Sequence, residues 1–383
     1  MKSLKITFGL ICLAILASNI VTMSRWNEAR GVYDDICYLR QAHLFQRFGL
    51  GGIDTDISRN DDHFLEGKLK EIEFPDWNTQ RMAPCHTSQP DNKFVLQYPP
   101  GTGFLLALFP EGHQVAPLYV FANLIVCVLA LLGILAARTL PLTVGAGSLG
   151  ALASYLMINP AKASYSIAPT MALCAIAGLL TALWLVKAKR NLWLVMSIGL
   201  LLGLSVNFRL SNLFLVSGYV LYLGISFLRT RKLAEFVQSS GFGVAFVIGM
   251  APTLIANAIN AGSPFTTTYG GADVSAPEFN VSVLGQYLGD PQLGLTALAI
   301  GSTAWQLRMG EGGVRQVALI AAGNLLVNLV FFLSHPVFTP YYVVPIAMLT
   351  LWSLSFAELM QPVEASQEAP LCERAASVGA LSP

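Results

Sequence analysis

Apolar residues run along the chain in stretches close to 20 residues long, separated by short polar turns. A helix of that length crosses ~30 Å of hydrocarbon. Such windows predict ten spans, over residues 4–23, 115–136, 142–158, 168–186, 191–207, 209–228, 240–259, 291–307, 316–334 and 340–358. One polar interval, 24–97, is too long to be a connector. Early in it, Ile36, Leu39, Ala42, His43, Phe45 and Phe48 recur at helical spacing before Gly49, which predicts an amphipathic helix lying along the membrane surface. The interval closes on Gln97 to Pro110, where Pro99 and Pro100 lead a short apolar run. That run cannot cross a bilayer and predicts a half-buried or re-entrant helix.

The chain thus divides into a first transmembrane helix (1–23), an extracytoplasmic loop with juxtamembrane helices (24–114), helices two to seven (115–260), a second extracytoplasmic loop (261–290), helices eight to ten (291–358) and a cytoplasmic tail (359–383). Composition agrees. Charged residues make up 12% of the 383 and hydrophobic ones 54%, against roughly 25% charged in a soluble protein. Such a chain cannot cover a soluble surface, so the fold class is an all-α polytopic membrane protein. A net charge of +1 excludes the concentrated basic face of a nucleic-acid binder. Lys2 and Lys5 before an apolar run also suit a signal peptide, but the run is long and no clear small-x-small cleavage site follows it. A retained first span is the expectation.

Basic residues set the orientation. With the N-terminus in the cytoplasm, twelve Lys and Arg fall on the inner side and only Lys162 and Arg209 in the short outer turns. The long first loop, which holds twelve carboxylates, is then extracytoplasmic. No carboxylate occurs from Gly112 to Ala234, so acid–base chemistry is confined to the outer surface. Cys37 and Cys85, the two cysteines of the first loop, are the one pair placed for a disulfide if that loop faces an oxidising compartment. Asp61, Asp62 and His63 stand together, and His86 follows Cys85, but no spaced set of His or Cys supports a metal; solvated surface is the expectation.

Asp34 and Asp35 sit at the start of the amphipathic segment. Either can be an N-cap that accepts backbone N–H bonds, or a general base held at the membrane face, whose ionised form the helix N-terminus favours. Arg209 interrupts two apolar runs. It suits a snorkelling side chain closing a turn, or a partner for a phosphate at the outer interface. Lys162 is a second phosphate candidate. Tyr98 and Tyr341 suit interfacial aromatics as well as ligands.

In order and sidedness these pieces resemble the GT-C superfamily of glycosyltransferases that use polyprenyl-phosphate sugars, in particular relatives of protein O-mannosyltransferases and of the lipid A aminoarabinose transferase. Tyr33-Asp34-Asp35 followed by Tyr38 resembles the acidic pair on the family's juxtamembrane helix. Tyr98-Pro99-Pro100-Gly101 resembles an element before the second span, and Gly199 to Arg209 a Gly-rich span ending in a basic residue. Asn260 to Tyr269 resembles the family's Gly-Ser-Pro-Phe…Tyr outer loop, and Tyr341 to Pro345 a late Tyr-rich element. The chain departs from the family where Pro169-Thr170 replaces an acid, and where Thr339, with His335 further back, stands in place of an Arg.

The resemblance implies transfer, with inversion, from a lipid-phosphate-linked sugar to an acceptor glycan, lipid or protein on the outer face. It implies a protein of the bacterial inner membrane and no nucleotide sugar; the residues themselves indicate neither a cofactor nor a metal. Asp34 then becomes the base and Asp35 its helper or a second acceptor contact, with Arg209, Lys162, Tyr98, Tyr341 and His335 as donor contacts. Two rival expectations are a lipid-linked-sugar transporter or flippase, and a non-catalytic GT-C-like subunit.

Overall fold

The computed structural model describes residues 1–26, 28, 33–74, 83–89, 92–158, 164–187, 191–269, 282, 292–334 and 339–361. Within them the chain is an all-α membrane protein with one small hairpin. Six helical segments are long and apolar enough to cross a membrane: Lys2–Met23, Val115–Ala136, Ile167–Lys187, Leu210–Thr230, Leu233–Ala261 and Gly312–Phe331. Leu140–Leu156, Leu192–Val206 and Val344–Met360 are apolar but shorter. All ten stretches read from the apolar pattern fall on helices, with ends displaced by a few residues.

The bundle contains α1 (Lys2–Met23), α5 (Val115–Ala136), α6 (Leu140–Leu156), α7 (Ile167–Ala182), α8 (Leu192–Val206), α9 (Ser217–Thr230), α10 (Leu233–Ala261), α11 (Gln292–Met309), α12 (Gly312–Ser334) and α13 (Thr339–Met360). A π-helical turn, Leu183–Lys187, extends α7, and a 3-10 segment, Leu210–Val216, leads into α9. Between α1 and α5 the polar interval folds into α2 (Tyr33–Phe48), α3 (Phe64–Glu71), β1 (His86–Ser88), β2 (Phe94–Leu96) and α4 (Gly101–Ala107). The strands pair antiparallel with Thr87 opposite Val95.

Helix packing explains the small residues. A Cβ on Gly203 would stand 2.2 Å from Phe246 O, and one on Gly249 2.4 Å from Leu200 O, so α8 and α10 touch backbone to backbone. Pro252 sits inside α10 and breaks its hydrogen-bond ladder. Asn207, just past α8, braces the neighbouring rung. Its Nδ2 donates to Gly249 O at 2.8 Å and its Oδ1 accepts from Thr253 N at 2.9 Å, the two groups that an unbroken helix would pair with each other.

The interval before α5 differs from a helix lying on the membrane with one wet face. From Asp35 to Phe45 every residue of α2 but His43 is buried. Tyr38, Leu39 and Ala42 join the core of the bundle, whereas Ile36 packs on Leu65 and Leu69 of α3. The cause is Arg40, fully buried, which donates to Asp61 Oδ2 at 2.8 Å, Thr55 O at 3.0 Å and Asp56 O at 3.1 Å, and meets His86 Nε2 at 3.0 Å. One guanidinium thus gathers segments 55–61 and 86 over the helix. Asp61 is accordingly an ion-pair partner and not solvated surface, whereas Asp62, paired with Arg47, and His63 are exposed as expected. Cys37 and Cys85 form a disulfide, with Cα atoms 6.4 Å apart. Helix α4 is half-buried, as its length implies: Thr102, Gly103 and Leu106 face inward while Phe104 and Leu108 are exposed.

Candidate functional site

The first turn of α2 carries both aspartates, and they do different things. Asp35 is buried and accepts the Tyr165 N–H at 3.1 Å, tying the helix start to the turn before α7. Asp34 is half-buried and hydrogen-bonded to the Tyr98 hydroxyl, which also accepts from Gln97 Nε2 at 3.2 Å. Neither reads as a simple N-cap. The Tyr98 phenol is pushed well above its ordinary pKa by burial first, then by the charge of Asp34, so it stays a hydrogen-bond donor.

One turn along α2, the Tyr38 ring stacks on Tyr98 with centroids 4.7 Å apart, and Tyr269 meets Tyr98 edge-on at 6.4 Å. The Tyr38 hydroxyl hydrogen-bonds Ser166 and Ser164 and lies within electrostatic reach of both Arg209 and Asp34. Burial pushes its pKa up to about 12, against the pull of Arg209. Arg209 itself donates to Ser166 Oγ over 3.5 Å. A carboxylate and a guanidinium therefore both act on one tyrosine, at the end of the bundle where α1 finishes and α7 begins.

The scaffold behind this arrangement is specific. Gly101 N donates to Asn207 O at 2.7 Å, and a Cβ on Gly101 would stand 2.7 Å from that same oxygen. Thr102 Oγ1 donates to Phe208 O at 3.3 Å, next to Arg209. The Pro-Pro-Gly sequence therefore docks α4 against the turn that presents the arginine, with Tyr98 immediately before it. Asn212 N donates to Arg209 O, while its Nδ2 donates to Thr170 Oγ1 at 3.0 Å, locking that turn to α7 and so to Ser166. At the end of α10, Asn260 Oδ1 accepts from Thr55 N at 3.0 Å, and Thr268 Oγ1 donates to Gln97 O at 2.9 Å, which brings Tyr269 to the site.

The structure brings together Asp34 and Asp35, Tyr98 and Arg209 from three distant parts of the sequence. Lys162 and His335 lie outside the described residues, and of Tyr341 the structure gives only its place in the first turn of α13. Sequence reasoning missed Ser164, Ser166 and the role of Tyr38. The signal was present as Ser164-Tyr165-Ser166, a polar triplet in a short turn between apolar spans. Among the described residues no group of three or more His, Cys, Asp or Glu side chains is placed to hold a metal ion. No protein-family model matches the chain, and no curated protein matches it.

Proposed function

We propose that the protein is an integral-membrane glycosyltransferase of the GT-C kind, which moves a sugar from a polyprenyl-phosphate donor to an acceptor at the extracytoplasmic face. The observation that carries this reading is that Asp34 and Arg209 both lie within electrostatic reach of the one Tyr38 hydroxyl. The Asp34 carboxylate takes the proton of the acceptor hydroxyl as its oxygen attacks the anomeric carbon. The bond from that carbon to the phosphate oxygen breaks, its electron pair leaves with the lipid phosphate, and Arg209 and the Ser166 hydroxyl receive the anion. Attack opposite the leaving group inverts the anomeric centre. Asp35 and Asn207 are positioning residues.

Several features support the membrane arrangement within this proposal. Each apolar window read from the sequence falls on helix, six of the segments being long and apolar enough to cross a membrane, and the balance of basic residues favours a cytoplasmic N-terminus. The Cys37–Cys85 disulfide suits an oxidising compartment around the site, such as the outer side of a bacterial inner membrane. The test is mass spectrometry of envelope glycans from cells with and without the gene. Loss of one sugar substituent, with its lipid-linked precursor accumulating, supports the proposal; an unchanged glycan profile contradicts it. Vesicles in which the protein moves the lipid-linked sugar across the bilayer without forming a glycosidic bond would favour a transporter instead.

A further inference from the structure

At the end of the bundle away from Asp34, a cavity of about 630 Å³ opens where α1 starts and where α5 and the turn after α7 finish. Lys5, Arg138 and Lys187 line it, and no carboxylate is among its lining residues. Lys5 Nζ donates to Leu135 O at 2.8 Å, one of three N–H bonds it can make, so its ammonium is held at the mouth with donors to spare. In a chain with only 12% charged residues, three cations converging on one concave surface select for an anion.

A second cavity, of about 760 Å³, lies between α6, α11 and α13 and shares the lining residue Leu359 with the first. Its walls are mainly apolar. Glu358, its one carboxylate, is hydrogen-bonded to Gln306. Gly145 on α6 and Gly301 on α11 both look into open space, with nothing within 4 Å of an added Cβ. The groove is thus a slot in the side of the bundle whose one end adjoins a basic mouth.

We propose that the two cavities hold one anionic phospholipid, with its phosphate at Lys5, Arg138 and Lys187 and an acyl chain in the slot between α6, α11 and α13. Neither part suffices alone. Hydrocarbon tails cover any apolar membrane surface without preference, and exposed cations attract any anion; the adjacency of the two cavities at Leu359 is what suits a molecule with both ends. This site is independent of the transfer reaction proposed above and lies at the other end of the helices.

Titration of the purified, delipidated full chain, followed by native mass spectrometry, tests the site with three probes: phosphatidylglycerol, phosphatidylcholine of the same chains, and inorganic phosphate. The wild type is expected to bind phosphatidylglycerol at least 10-fold more tightly than phosphatidylcholine. Lys5→Gln/Arg138→Gln/Lys187→Gln removes that preference. Gly145→Leu/Gly301→Leu fills the slot, leaves every charge in place, and is expected to weaken phosphatidylglycerol at least 10-fold with inorganic phosphate unchanged. Equal binding of the two lipids overturns the proposal, as does unaltered phosphatidylglycerol affinity in the slot-filling variant, which would mean that the mouth holds free phosphate or any anion.

Discussion

Asp35 accepts the backbone N–H of Tyr165 at 3.1 Å from 130 residues away, and both residues are buried. This bond joins the start of α2 to the turn that carries Ser164 and Ser166. The carboxylate one residue earlier, Asp34, is therefore aimed by a neighbour that is itself fixed. Of two adjacent acids of the same type, one holds the helix and the other faces the Tyr98 hydroxyl.

Asp35→Ala strands the buried Tyr165 N–H, which costs about 1–3 kcal/mol. Asp35→Asn keeps an acceptor oxygen and the shape. Thermal unfolding in detergent should rank wild type and Asp35→Asn close together and Asp35→Ala well below. Equal melting of the two variants would show that the bond does not hold the helix start.

Asn207→Leu removes the amide that braces α10 beside Pro252. It leaves the Thr253 N–H and the Gly249 carbonyl without their partner, at about 1–3 kcal/mol for each buried group. Because Asn207 O also receives Gly101 N–H, the disturbance should reach α4 and Tyr98. The expected result is faster amide hydrogen exchange at both 249–253 and 98–104, and exchange confined to α10 would separate the two.

How much of this was legible in the sequence depends on the range of the cause. The spans could be read because a run of about 20 apolar residues has one solution in a bilayer. Helix α2 was legible as a helix but not as an enclosed one, because what covers its second face is held by Arg40, whose acceptors at Thr55, Asp56 and Asp61 belong to a loop without periodicity. Asp34, Tyr98 and Arg209 were found singly, through their place beside apolar runs and a family likeness. That they meet follows from the docking of Gly101 on Asn207, a contact across 106 residues that no local pattern encodes. The division of labour between Asp34 and Asp35 was likewise invisible, since it turns on a backbone N–H.

His86 gives the region between α1 and α5 a pH dependence. Its Nδ1 lies 2.8 Å from Pro84 O and its Nε2 3.0 Å from Arg40, so Nδ1 carries the proton and Nε2 accepts from the guanidinium. Burial first, then the Arg40 charge, lower its pKa from 6.5 to about 3. The folded protein thus keeps this ring neutral, while the unfolded chain takes up a proton below pH 6.5. Stability is complete above that value and falls as the pH drops toward 3, by about 2 kcal/mol between pH 7 and pH 5. His86→Gln, which keeps an acceptor for Arg40, should flatten melting temperature against pH over that window; an unchanged slope would assign the loss to other groups.

The account rests on Asp34 as the group that takes the acceptor proton, and its replacement by Asn tests this most directly. Asp34→Asn keeps the size and a hydrogen-bond acceptor for Tyr98 but cannot take up the proton, so transfer should fall by about 10²–10⁴. The measurement is the rate of glycan modification in cells lacking the gene and complemented with wild type or variant at equal membrane levels. The predicted result is a glycan profile matching that of the deletion, with the melting temperature of the purified variant unchanged. Wild-type rates in Asp34→Asn would contradict the account.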